Sequence, residues 1–397
     1  MLRPGLLVLV VAIAAGCGLS PAVPVAPLAG FVEAETPAAL AARTGLKPFY
    51  GITHTHVAEN GDDGQGTLAE AYAYGQGKAN MDFMAISSHS HMIDDAGYQR
   101  MRAAAAAATQ DGKFVAIPAQ EWSSISKGGH ITILDAGARC DLGNGDWAGF
   151  YQKWLPAHPE VAFVQFNHPH PTNPLEFGGT GFNPLDNARA SQVAESKILG
   201  MALVNGPGKY TGEDMHGEPD EFDRGVNKLN YEEEYKDFLN RGWKIGAIGD
   251  QDNHVKTWGT AVPTRTGIWA KNLSKAGVLD ALKARRTFAA FDNNVKLWFE
   301  LNGAPMGSET TGSKALAIKV VATDPDTTIK RVELYGDVDG PGGQPAKLLA
   351  KADVNKKVVG WAVNLPAVPG ESYYYAKLVY DDQHAWAWTS PIWVNGR

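Results

Sequence analysis

The sequence predicts an α/β fold, a barrel or an open parallel sheet, followed by a small antiparallel β-sandwich of immunoglobulin-like type. Three observations carry this. From about Lys47 short apolar runs alternate with helix signals, near Leu297 the helix signals stop, and beyond it turn clusters divide strand-like stretches. Repeated strand-then-helix units call for a parallel or barrel sheet, whereas short strands between turns pack as two antiparallel layers. At 397 residues the chain exceeds what one small core organises, so two folded units are expected, at 45–296 and 297–397.

The first residues stand apart from these units. Leu6 to Ala15 form an unbroken apolar run behind Arg3, too short to span a bilayer and suited to an export signal. It ends in Ala14-Ala15-Gly16-Cys17, which resembles the bacterial lipobox, with Ala14 where that family prefers Leu. The resemblance implies a signal peptide over 1–17, lipidation of Cys17 and an exported, membrane-anchored protein that touches the membrane only through its lipid. Gly18, where inner-membrane retention signals often carry Asp, points by the same analogy to the periplasmic face of the outer membrane or the cell surface. Ordinary cleavage nearby, releasing a soluble protein, is the alternative. Residues 18–44, rich in Pro, Ala and Val from Ser20 to Pro37, then read as a flexible tether. Cys140 is left without an intramolecular partner, so stability must come from the core or from metals.

In the first unit the runs Phe49–Thr53, Phe83–Ser87, Phe114–Ala119, Ile131–Leu134, Ala162–Phe166, Ala202–Val204 and Ile245–Ile248 read as buried parallel strands. Thr67 and Glu70 form a capping box before a helix ending at Gly77. Gln99 to Thr109 is alanine-dominated and stops at Asp111-Gly112. Asn230 and Glu233 cap a helix with Tyr231, Tyr235, Phe238 and Leu239 at helical spacing, closed by Gly242, and Ser274 to Arg286 gives another. In the second unit Ala315–Ala322, Ile329–Tyr335, Val358–Leu365, Tyr373–Tyr380 and Trp386–Val394 read as strands, with no helix among them. Tyr373, Tyr374, Tyr375, Trp386 and Trp388 are expected in the core and on sheet faces, not in a ligand stack.

A net charge of −7 argues against nucleic-acid binding, which needs a basic face for phosphates. No feature calls for an obligate protein partner.

The chemistry gathers at predicted strand ends. His54-Thr55-His56 follows the first strand, with both imidazoles aimed alike by period-two alternation. His89 follows the second strand, Glu121 the third, His168 the fifth and Asp252-Asn253-His254 the last. Ligands bind at the C-terminal strand ends of barrels and open parallel sheets, so these residues would converge there. His130 starts a strand, and this geometry gives it no place in the cluster. Imidazoles and carboxylates without thiolates suit Zn, Mn or Fe.

The ordered motifs, His-x-His, an Asp-Gly turn, His89, Glu121, Gly129-His130, His168-Pro169 and Asp252-x-His254, resemble the polymerase and histidinol phosphatase (PHP) superfamily, especially its exported branch with carbaryl-hydrolase-like members. The resemblance covers roughly His54 to Asn294. It implies a distorted (β/α)7 barrel with two or three divalent ions. One would be held by His54, His56, Glu121 and Asp252, and a second by the bridging Glu121 with His130 and His168. A third would be held by His89, His254 and an aspartate, Asp63 or Asp62, of which Asp63 matches the Asp-Gly turn better. Ser88 departs from the family, which commonly has Asp before the histidine, and this should alter support for the ligands or the third ion.

Such a centre would hold a metal-bridged hydroxide through Glu121 and Asp252 and act on a small-molecule ester. The resemblance favours phosphate mono- or diesters, with carboxylic esters, amides or carbamates as the alternative. A non-enzymatic surface lipoprotein binding glycan or protein is the third reading. His91 and His170 are candidates for protonating a leaving group, and Lys127 and Arg286 for binding substrate charge. Gly206 to Asn227, long and acidic, could form a lid or a solvated excursion.

Overall fold

A computed structural model describes residues 31–124, 127–169, 192–206, 230–312, 315–337, 339–340, 344–380 and 386–396. The signal peptide, Cys17, His170 and residues 207–227 of the acidic stretch lie outside the described residues. The architecture is mixed α/β, built on one large multi-strand sheet with helices packed against it.

Seven strands lie side by side in chain order: β1 (Lys47–Ile52), β2 (Phe83–Ile86), β3 (Val115–Ser124), β4 (Gly129–Leu134), β5 (Phe163–Phe166), β6 (Ile198–Asn205) and β7 (Gly246–Asp250). β2, β5, β6 and β7 are buried along their whole length, which is why they read as apolar runs without alternation. The all-parallel expectation needs one correction. β1–β2, β2–β3, β5–β6 and β6–β7 are parallel, but β4 runs antiparallel to both β3 and β5. Only residues 125–128 separate β3 from β4, too few for the crossover that a parallel partner requires.

The sheet curls until the ends of β1 and β7 meet. Thr55 and Asn253 form a parallel bridge, and the Asp252 and His56 amides donate to the His54 and Asn253 carbonyls at 3.2 and 2.9 Å. On the other side of β1 lies the antiparallel β8 (Arg265–Ala270), followed by β9 (Thr287–Ala290).

The helices that accompany these strands include α1 (Pro37–Thr44), α2 (Leu68–Gly77), α3 (Asp95–Ala108), α4 (Gln192–Lys197), α5 (Glu232–Asn240) and α6 (Lys275–Lys283). The Thr67–Glu70 capping box is present at α2, and Ser274 caps α6 by accepting the Gly277 amide. No helix among the described residues is long and apolar enough to cross a membrane.

Residues 31–44 are not a tether. Thr36 caps α1, Leu40 is buried, Arg43 meets Glu300 at 2.9 Å, and Glu35 meets Lys319 at 2.9 Å. A capped turn with an apolar residue to bury docks, whatever its Pro and Ala content suggests.

Beyond Leu297 every regular element among the described residues is a strand. They are β10 (Lys296–Leu301), β11 (Ala304–Pro305), β12 (Glu309–Gly312), β13 (Ala315–Thr323), β14 (Ile329–Asp337), β15 (Lys347–Lys356), β16 (Val358–Pro366), β17 (Gly370–Val379), β18 (Trp386–Thr389) and β19 (Ile392–Gly396). β11, β10, β13 and β16 form a separate four-stranded sheet, and the others extend the large one. The expected discrete sandwich is corrected here: β18 pairs with β9 through Ala387 and Ala290, so the large sheet runs across residue 297. β15 escapes the sequence reading because it pairs only with β14 and carries three lysines, as edge strands do. Tyr373, Tyr374, Tyr375 and Trp388 are buried in the core, as expected, and Trp386 is half-buried against it.

Candidate metal centre

The C-terminal ends of β1, β2, β5 and β7 bring the predicted donors together. Asp250, the last residue of β7, accepts the His54 amide at 3.1 Å and the Thr53 hydroxyl at 2.8 Å, which pins the end of β1. His54 and His56 project alike, with their Nε2 atoms 3.2 Å apart. Glu121 lies inside β3, not after it, because that strand continues to Ser124. The reversal of β4 brings in His130: Ser123 faces His130 and Glu121 faces Thr132, so the start of β4 shares an edge with the end of β3. His168 and Asp252 follow β5 and β7 with φ of 22° and 51°, conformations that non-glycine residues adopt at a cost and that cluster at functional sites.

The first donor group has the dimensions of a coordination shell. His54 Nε2 lies 3.1 Å from Glu121 Oε1 and 3.3 Å from Asp252 Oδ1, and His56 Nε2 lies 3.4 Å from Glu121 Oε2 and 3.3 Å from Asp252 Oδ1. Bonds of about 2.0–2.1 Å to a tetrahedral zinc put its ligands about 3.3–3.4 Å apart. Asp252 Oδ1 is buried and makes no hydrogen bond, although two imidazole nitrogens lie 3.3 Å away. The donors therefore point at a common centre more than at one another, and the residues fit a divalent ion.

Two further groups share these side chains. Glu121 Oε1 is 3.2 Å from His130 Nδ1 and 3.4 Å from His168 Nε2, and those two nitrogens are 3.4 Å apart. Asp63 Oδ1 is 3.2 Å from His254 Nε2 and 3.4 Å from His89 Nδ1, with the His56 ring stacked on His254 at 4.1 Å. His89 also turns its Nε2 to Glu121 Oε2 at 3.0 Å. These clusters are suited to one or more divalent ions.

Asp62 and Asp63 divide their work. Asp62 is buried, with Oδ2 at 3.0 Å from His56 Nδ1 and Oδ1 at 2.9 Å from His89 Nδ1, so it orients two imidazoles from outside the first donor group. Asp63 joins the donor group of His56, His89 and His254.

The electrostatics follow from carboxylates buried beside imidazoles. Burial works against charging His54 and His56, yet Glu121, Asp252 and Asp62 outweigh it and hold both rings above their ordinary value. His89, opposed by burial and by His56 but supported by Asp62, Asp63 and Glu121, is pushed up to about 11. Burial would raise Asp62, Glu121 and Asp252, but their imidazole neighbours hold all three well below the carboxylate range. His130 goes the other way, lowered because burial outweighs Glu121. The carboxylates thus favour protons on these imidazoles, and divalent ions would neutralise the same carboxylates.

A polar floor supports the donors. Asn167 Nδ2 donates to Glu121 Oε1 at 2.7 Å and to Thr132 at 2.8 Å, and Gln165 Nε2 donates to Asp250 Oδ2 at 2.7 Å and to Asn167 Oδ1 at 3.1 Å. Burial pushes Asp250 up despite these donors. Sequence reasoning did not assign Asn167 or Gln165 a role. Their signal was two amides at alternate positions ending an apolar strand. Ser88 is buried, and its hydroxyl has no hydrogen-bond partner.

The remaining candidates scatter. His91 is exposed, its ring 5.4 Å from that of His89, and burial together with the charge of His89 lowers it. Lys127 is exposed on the β3–β4 turn. Arg286 as a substrate residue is corrected: it binds the Trp269 carbonyl at 3.0 Å and Asp280 at 2.6 Å. Trp269 pairs with Pro48 at the start of β1, so Arg286 sits at the opposite end of the sheet from His54. Cys140 is buried and free.

No family model matches this chain, and no curated protein matches it. Among solved structures it is similar over 23% of its length to a chitin binding domain from Burkholderia pseudomallei, at 13% identity, TM-score 0.19 and 57% of that chain. A second, an LPMO from Kitasatospora papulosa, shares 10% identity over 31% of this chain and 59% of the other, with TM-score 0.18. The chain thus spans less than two thirds of either, and at such scores neither carries an argument.

Proposed function

We propose that this protein is a metal-dependent hydrolase of phosphate mono- or diesters, a member of the PHP superfamily acting outside the cytoplasm from a lipid anchor at Cys17. In this reading residues 45–296 form a distorted (β/α)7 barrel and 297–397 a sandwich-like accessory unit joined to its sheet. The curl that brings Thr55 against Asn253 supports the barrel.

The observation that carries the proposal is the donor spacing of 3.1–3.4 Å among His54, His56, Glu121 and Asp252. These four would hold one ion, Glu121 with His130 and His168 a second, and Asp63, His89 and His254 a third, with Zn, Mn or Fe suited to the donors. Ions so held supply Lewis acidity, bringing a water's pKa towards neutrality and offsetting charge on the oxygens of the reacting centre. The chain's own residues orient: Asp62 holds two imidazoles, and Asn167 holds the shared carboxylate. His91 stands at the rim, and its lowered pKa suits it to accept a proton more than to donate one.

A second reading, hydrolysis of carboxylic esters, amides or carbamates, is favoured by the distance of Arg286 from the donors, since phosphate recognition usually recruits guanidinium groups.

Elemental analysis of the mature protein tests the centre. Two or three equivalents of a transition metal, lost in Glu121→Ala, are expected. A panel of phosphate mono- and diesters against aryl esters and carbamates then separates the two readings. Absence of bound metal after reconstitution with Zn, Mn and Fe would sink both.

A further inference from the structure

Asn205, the last residue of β6, is fully buried, yet neither its Nδ2 nor its Oδ1 has a hydrogen-bond partner. An amide buried in that state has given up its hydrogen bonds to water without replacement, so few buried amides are left so. The Gln165 and Asn167 amides, also buried, are both engaged in the polar floor.

Its direction follows from register. Asn205 pairs with Asp250 on β7, and partners in register project from the same face of a sheet. The Asp250 carboxylate reaches Thr53 and Gln165 on the interior face, so the Asn205 amide lies on that face too. The neighbouring strands of β6 are β5 and β7, which lead to His168 and Asp252. Those two donors approach to 3.8 Å, and Asn205 ends the strand between them. The Gly206 amide donates to the Asp250 carbonyl at 3.3 Å, which holds the end of β6 at this level.

We propose that Asn205 is a substrate-binding residue of the candidate centre, its side-chain amide donating to an oxygen of the bound ester beside the donors His168 and Asp252. This rests on the hydrolase reading. The amide is an uncharged donor that pairs with a substrate oxygen without competing for the ions. Its carbonyl can accept from a hydroxyl or N–H on the leaving group.

The test compares the full-length metal-loaded protein with Asn205→Ala and Asn205→Asp, using inorganic phosphate as the probe in calorimetry and the best ester of the panel in kinetics. Elemental analysis of each variant comes first, and unchanged metal content is expected. Phosphate binding should weaken about tenfold in Asn205→Ala and further in Asn205→Asp, where a carboxylate replaces the donor. The KM for the ester should rise more than kcat falls. Wild-type binding or turnover matched by both variants would overturn the role of Asn205 and leave the hydrolase reading standing. So would loss of metal in Asn205→Ala, which would make the residue a support of the ions. A wild-type protein that neither binds phosphate nor turns over any ester would overturn both.

Discussion

Asp62 Oδ2 lies 3.0 Å from His56 Nδ1, and this contact sets the ring so that its Nε2 faces His54, Glu121 and Asp252. The same carboxylate holds His89 through its other oxygen at 2.9 Å. Asp62→Asn should keep the fold and lower metal affinity about 10- to 100-fold, since outer carboxylates fix the tautomer and aim of ligating imidazoles. Competition with a chromogenic chelator measures it, and unchanged affinity would remove Asp62 from the centre.

Metal uptake should release protons. His89 is pushed up to about 11 and His54 and His56 stand above their ordinary value, so in the ion-free protein these rings hold protons more tightly than a free imidazole and ions compete with those protons. Protons and metal compete, so apparent affinity should fall as pH is lowered from about 8 to 6, with roughly one or more protons released per ion. Calorimetry in two buffers of different ionisation enthalpy counts them. Zero release would contradict the assignment of these histidines.

The Glu35–Arg43 pair should make a small, pH-dependent contribution to stability. Its hydrogen bonds to Arg43, opposed by desolvation and aided by Lys319, lower Glu35 to about 2 from 4.5. A depressed carboxylate stabilises the fold above its unfolded value and loses that contribution as pH falls through its folded one. The window is therefore from about pH 5 down to about pH 2. Arg43 is 42% exposed, so screening limits the pair to about 1 kcal/mol or less. Urea denaturation of Glu35→Gln should show that loss at pH 7 and little of it at pH 2.

Glu232 on α5 meets Lys377 on β17 at 2.6 Å, with side chains only 9% and 11% exposed. The Lys377 ammonium also lies 5.2 Å from the Trp388 ring, and Lys236 stands 3.5 Å from Glu232. Glu232→Gln strands the buried ammonium and should cost about 3 kcal/mol. Lys377→Met should cost less, because Lys236 still answers Glu232. A double-mutant denaturation cycle reads both, and equal, additive losses would mean the pair is not coupled.

Much of the centre was legible because ligand-type residues interrupt apolar strands where the strands end, as at His54, His89 and Asp252. His130 was not derivable from strand-end geometry, since a residue that opens a strand joins the others only if that strand is reversed. Asp63 was preferred to Asp62 only through its match to the Asp-Gly turn of the resemblance, because the turn conformation decides which faces a ring and which faces the donors. β15 was missed because its lysines conceal an edge strand, and residues 31–44 were misread because composition does not reveal that Leu40 has a surface to bury.

The sequence by itself determined the order of β1 to β7, the capping box of α2 and most candidate donor residues, because burial periodicity and capping are local and leave their mark within a few positions. Only the tertiary structure decided that β4 runs backwards, that the large sheet crosses residue 297, that Arg286 lies at the far end, and that Asn205 faces inward. Strand direction and register are set by pairing between residues far apart in the chain, and a shift of one position reverses every side chain that follows.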